Sequence, residues 1–201
     1  MTTANTMPNN VSIVPKGRLA FWVLITGEIA IFGGLIATYI LLRLRYPEWA
    51  EQTALTSTPL GALNTFVLLS SSYTIVLAHS YAAKKDFQKA FYLMLFTVFC
   101  GFIFLGVKTI EYSHEISLGL TLTSPGLVAS GKGIGSLFWT FYYTMTGLHA
   151  IHVLVGMTII SIVMFQVKKG KNLHRVELVG LYWHMVDIIW IFIFPMLYIA
   201  K

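Results

Sequence analysis

The sequence predicts an all-α fold, a polytopic membrane bundle of five transmembrane helices. Three observations carry this. Of 201 residues, 56% are hydrophobic and 11% are charged, with a mean hydropathy of +0.73, whereas a soluble domain has about 25% charged residues. Five apolar runs each approach the ~20 residues that a bilayer-crossing helix requires. The cations sit in short connections between those runs, the pattern that sets membrane topology. The net charge of +6 therefore does not argue for a nucleic-acid partner. A single cysteine, Cys100, lies inside an apolar run, which leaves no disulfide framework and no thiolate metal site.

Taken in order, about residues 1–18 form a polar tail, Asn- and Thr-rich and without the basic start and apolar core of a signal peptide. The remainder, 19–201, is one five-helix domain. The first span covers about 19–42 and carries Glu28 near mid-depth, with Gly27, Gly33, Gly34 and Ala37 suited to close helix contact. A polar loop containing Pro47 and Pro59 leads to the second span, about 60–82. Its middle, Ser70 to Thr74, offers hydroxyls to its own backbone or a neighbouring helix. The third span covers about 87–111, with His114 and Glu115 expected at the outer surface. A Gly-, Ser- and Thr-rich loop follows. The fourth span, about 136–167, opens with Phe138, Trp139, Phe141, Tyr142 and Tyr143, expected as an interfacial belt. The fifth covers about 177–200.

Orientation follows from the cations. Lys16, Arg18, Lys84, Lys85, Lys89, Lys168, Lys169, Lys171 and Arg175 fall on one side, and Arg43, Arg45, Lys108, Lys132 and Lys201 on the other. The positive-inside rule places the N-terminus in the cytoplasm and the C-terminus outside. The Lys84-Lys85 and Lys168-Lys169 pairs are expected to anchor anionic headgroups.

The last span imposes the strongest constraint, because an ionisable group in hydrocarbon costs several kcal/mol unless it finds a partner. Glu177, His184 and Asp187 lie in or beside this run. Trp183, Asp187 and Trp190 share one helical stripe; Glu177, Leu181, His184 and Ile188 share the next. His184 and Asp187 are i, i+3 neighbours, readable as a packing pair that shares a hydrogen bond, or as a proton relay or metal ligand set. Glu28 is readable as a neutral carboxyl bonded to backbone or lipid, or as a site for proton movement or lipid. His149 and His152 form an i, i+3 pair flanked by Gly147 and Gly156. They fit metal or haem ligation, or a buried hydrogen-bond network with Glu111 as partner. A small haem enzyme using His149 or His152 with His184, or a transporter using Glu28 and Asp187, are the competing classes; the latter lacks inverted repeats and broken helices.

Two stretches carry a resemblance. Tyr182-Trp183-His184-Met185-Val186-Asp187-Ile188-Ile189-Trp190 resembles the last helix of subunit III of haem–copper terminal oxidases, in its five-helix bacterial form. Thr146 to Gly156, with His149 and His152, is similar to that family's second diagnostic stretch, and Gly27-Glu28 and Glu111-Tyr112 fall at matching places. The resemblance implies a subunit with no catalytic centre, haem or copper of its own. It packs against subunit I, which carries the haem and copper, in a proton-pumping oxidase, with subunit II and other subunits and, by extension, a respiratory supercomplex. It implies bound phospholipid, a role in assembly and proton uptake, and residence in the bacterial cytoplasmic (inner) membrane. Cytochrome c is the expected electron donor. A quinol-oxidising complex, or a nitric oxide reductase accessory protein of the same fold, is the alternative. Glu28 matches the family's carbodiimide-reactive carboxyl. Glu111, His149, His152, Glu177, Trp183, His184, Asp187 and Trp190 are expected to form an intramembrane packing network.

Overall fold

The computed structural model describes residues 16–122, 128, 133–170 and 172–200. The tail before residue 16 and much of the loop before the fourth span lie outside the described residues. Within them the elements are α1 (Lys16–Arg45), α2 (Trp49–Thr53), α3 (Thr58–Ala83), α4 (Phe87–Ser117), α5 (Gly133–Lys168) and α6 (His174–Phe194). A π-helical turn, Pro195–Ile199, extends α6. Five of these helices are long and apolar enough to cross a membrane.

Local chemistry sets the ends. Pro59 stands in the first turn of α3, where a missing amide hydrogen is no loss. Asp86 caps α4 by accepting from the Lys89 amide at 3.2 Å. The Lys89 side chain, followed by that amide, holds the Asp86 carboxyl below its usual range. Gly119, at φ +76°, ends α4 in the left-handed conformation that glycine adopts most cheaply.

Helices α3, α4, α5 and α6 close a ring, each packing on the next and α6 returning to α3. The core runs through this ring. Half of the most apolar window of α6 is buried, against 11% of that of α1. This agrees with the requirement that the last helix turn its polar stripe inward. Helix α1 leans chiefly on α5 and α6, and its end also meets α2 and the terminal turn through Tyr39 and Arg43. Its small residues do not serve close packing within the chain, since a Cβ built on Gly27, Gly33 or Gly34 meets nothing within 4 Å.

Three expectations are corrected here. The polar loop after α1 contains α2, which plugs one end of the bundle. Trp49 is fully buried and donates to the Ile134 carbonyl at 3.0 Å, while Gln52 accepts from the Trp139 indole at 2.9 Å. Phe138, Trp139 and Tyr142 form no lipid-facing belt; all three are fully buried, packed around Trp49 and one another. Aromatic content marks interfaces and cores alike, and only the neighbouring elements decide between them. Glu115 is not at the surface but 2% exposed, although His114 beside it is exposed.

Gly156 lets α6 approach α5: a Cβ there would stand 2.9 Å from the Trp183 ring. At Gly101 a Cβ would meet the Met157 sulfur at 2.6 Å, but a thioether repacks more readily than a locked indole. Gly156→Ala is expected to destabilise by about 1–3 kcal/mol, and Gly101→Ala by less. Thermal unfolding of the solubilised variants ranks them; equal midpoints would contradict the indole contact.

Candidate functional site: a buried ion cluster and two flanking polar contacts

Lys108 stands on α4, three residues before Glu111, in a run that is otherwise apolar. Its side chain does not reach an aqueous boundary; the residue is 3% exposed. The ammonium has three hydrogens and three partners: Glu111 Oε2 at 2.9 Å, the Tyr142 hydroxyl at 3.1 Å and the Tyr198 hydroxyl at 2.6 Å. The Tyr142 and Tyr198 hydroxyls are themselves 3.0 Å apart. Four rings surround the cation, with centroids at 5.0 Å (Tyr112), 5.0 Å (Tyr142), 5.3 Å (Tyr198) and 5.6 Å (Trp190). Such contacts strengthen when the cation is desolvated. Glu115 follows one turn after Glu111, beside Tyr142 and Tyr143. Neither of its oxygens meets hydrogen-bond geometry.

The π-helical turn makes this arrangement possible. Pro195 removes a backbone donor where α6 would otherwise continue, and the widened turn carries Tyr198 to Lys108. Tyr39 of α1 then donates to the Met196 carbonyl at 2.9 Å, tying the first helix to that turn.

His149 is fully buried but has no partner in Glu111, which is occupied by Lys108. Its ring lies 5.1 Å from that of Trp190 and 5.4 Å from that of Phe104, with neither nitrogen hydrogen-bonded. A porphyrin at His149 would have to displace both rings. His152 turns the other way. Its Nδ1 donates to the Leu148 carbonyl at 2.8 Å, and its Nε2 lies 2.9 Å from Glu28 Oε2, without the alignment of a linear hydrogen bond. Glu28 also lines an apolar groove of about 330 Å³ between α1 and α6. The mid-depth carboxyl of α1 therefore has an imidazole partner that its own span could not supply.

The stripes of α6 part company. Trp183, Asp187 and Trp190 are buried as expected, and the indoles donate to Ser71 Oγ at 2.9 Å and Thr65 Oγ1 at 3.0 Å on α3. His184 does not pair with Asp187. It meets Ser72 Oγ at 2.6 Å, while Asp187 lies beside the same serine with neither oxygen in hydrogen-bond geometry. The serine-rich middle of α3 thus bonds both its own backbone, as Ser70 does to Phe66 at 2.8 Å, and the facing helix. The second stripe faces outward: Leu181 and Ile188 are exposed, and Glu177 is half-buried along a groove with His79 and His184. Glu177 therefore stands apart from the Lys108 cluster. Among the described residues, no three His, Cys, Asp or Glu side chains gather as a metal site.

Sequence reasoning overlooked Lys108, which counts toward the outer cations by position alone. The available signal was its spacing, since Lys108, Glu111 and Glu115 follow i, i+3, i+7 on one helical face.

The sequence profile of the family described as Cytochrome c oxidase subunit III matches residues 8–201. The chain belongs to that family. A relative from Staphylococcus saprophyticus subsp. saprophyticus, named "Probable quinol oxidase subunit 3", is 33% identical over 97% of this chain and 94% of its own. Relatives of the same name from Staphylococcus haemolyticus and Staphylococcus aureus are 32% and 31% identical, each over 96% of this chain and 94% of its own. Membership makes this a multi-pass membrane protein and one subunit of an oxidase complex.

Breaking a buried ion pair by removing one partner costs about 3–5 kcal/mol. Lys108→Met is expected to lower stability by that order. Lys108→Met combined with Glu111→Gln is expected to recover part of the loss, because no carboxylate is then stranded at that position. A double-mutant cycle on thermal unfolding tests this; strictly additive effects would show that the two residues are not coupled.

Proposed function

We propose that this chain is a supporting subunit of a proton-pumping haem–copper terminal oxidase in the bacterial cytoplasmic membrane, carrying no haem or copper of its own. The observation that carries the proposal is the family match over residues 8–201. The packing supports it: α1 presents an apolar, small-residue face that its own chain leaves uncovered, suited to a helix of the catalytic subunit. The intramembrane polar groups bind helices to one another in pairs and clusters, the role that costly buried groups serve most simply. Assembly of the complex, phospholipid retention and support of proton uptake are the functions proposed for it.

For the electron donor, the names of the relatives favour quinol over cytochrome c. The N-terminus is proposed to be cytoplasmic. With Lys108 enclosed in the bundle, the outer side loses one of its cations from the topological count, which sharpens the bias.

Gentle extraction of the membrane complex, followed by identification of the co-purifying chains and their haems, tests this reading. A catalytic haem-bearing subunit is expected alongside, and a Soret band from this chain alone would refute it. Glu28 is expected to react with a hydrophobic carbodiimide, because it borders the groove between α1 and α6. Glu28→Gln should abolish labelling of this chain; labelling that persists means another carboxyl is the reactive one.

A further inference from the structure

Helices α3 and α4 pack more extensively than any other pair, yet a groove of about 530 Å³ runs between them on the outside of the bundle. Thr74, Leu77 and Tyr81 line it from α3, and Lys89, Leu93 and Phe96 from α4, each set at helical spacing. Seven helical steps, from Thr74 to Tyr81, make the groove about 10 Å long. At its inner end the Thr74 and Thr97 hydroxyls bond each other at 2.9 Å. They therefore satisfy themselves and leave the walls apolar.

The other end is cationic. Lys84 Nζ stands 5.9 Å and Lys89 Nζ 5.3 Å from the centroid of the Tyr81 ring, so two ammonium groups gather around one aromatic ring. Lys85 lies between them in sequence, exposed and at φ 62°, a left-handed conformation that glycine would adopt more cheaply. Against these three cations stands one carboxylate, Asp86, 3.0 Å from Lys89. The end of the groove thus keeps an excess of positive charge at the boundary of a membrane span, directly above an apolar channel.

Building on the phospholipid retention proposed above, we propose that this groove is one place where it occurs and that it binds an anionic phospholipid, its phosphodiester beside Lys84, Lys89 and Tyr81 and an acyl chain running along Leu77, Leu93 and Phe96. The two halves of the site select that chemistry together. A free phosphate leaves the channel unused, and a zwitterionic lipid leaves the excess positive charge unanswered. Each membrane-proximal lysine contributes about 1 kcal/mol toward anionic lipid.

The test uses the assembled, delipidated complex reconstituted in nanodiscs of phosphatidylglycerol or phosphatidylcholine, with retained lipid read by native mass spectrometry. Phosphatidylglycerol retention is expected to exceed phosphatidylcholine retention, and Lys84→Gln with Lys89→Gln to weaken it roughly thirtyfold. Leu77→Trp keeps every charge but fills the channel, and it should also lose the lipid. Phe96→Gln, at an exposed position, serves as a second channel variant, and thermal unfolding of each variant checks that it is folded. Unchanged retention in the double lysine variant overturns the proposal. So does wild-type retention in both channel variants, which would mean headgroup adsorption to a charged surface only.

Discussion

An ammonium group sealed inside a membrane bundle constrains everything around it. Lys108 is buried, so the protein must supply its hydrogen-bond acceptors, its counter-charge and its polarisable walls. Those parts come from three separate places: Glu111 and Tyr112 on its own helix, Tyr142 on α5, and Trp190 and Tyr198 near the chain's end. The cluster therefore fixes the register of three elements at once. Only a few arrangements of α4, α5 and the terminal turn can satisfy a three-donor cation. In a membrane, where apolar side chains pack as readily on lipid as on one another, such a directional demand specifies the fold more sharply than greasy contact does.

The remaining polar contacts extend the same logic outward. The indoles of Trp183 and Trp190 hydrogen-bond α6 to α3, and Gly156 makes room for the first of them on α5. Tyr39, Arg43, the buried Phe32 and the Glu28–His152 contact attach α1 to the bundle. The result is a four-helix ring and one helix largely uncovered by its own chain. That asymmetry suits a subunit whose structural role is completed by a neighbour.

Much of this was legible from the residues. Long apolar runs are unambiguous, because bilayer thickness sets their length, and all five helices lie where hydropathy places them, extended by a few residues at several ends. The inward stripe of α6 was legible from spacing, because charged and indole groups have only one sheltered direction to face. Partner choice was not. Asp187 and His184 are adjacent on a helix, yet the serine opposite takes the histidine. Glu111 and His149 look like natural partners, yet a lysine one turn away reaches the carboxylate first. Short-range spacing shows which side chains are able to meet and carries no information about what the facing helix offers.

By itself, the sequence determined the class of molecule: an oil-soluble helical bundle of five spans, with acids and imidazoles that had to be sheltered, and motifs that mark its family. Tertiary structure alone decided which acid meets which base. It drew Lys108 and Glu115 inward, and the aromatic run of α5 into the core. The physical reason is that hydrophobic length is a property of one segment, summed along the chain. The pairing of buried charges depends on directions and distances between segments, which exist only once the helices have packed.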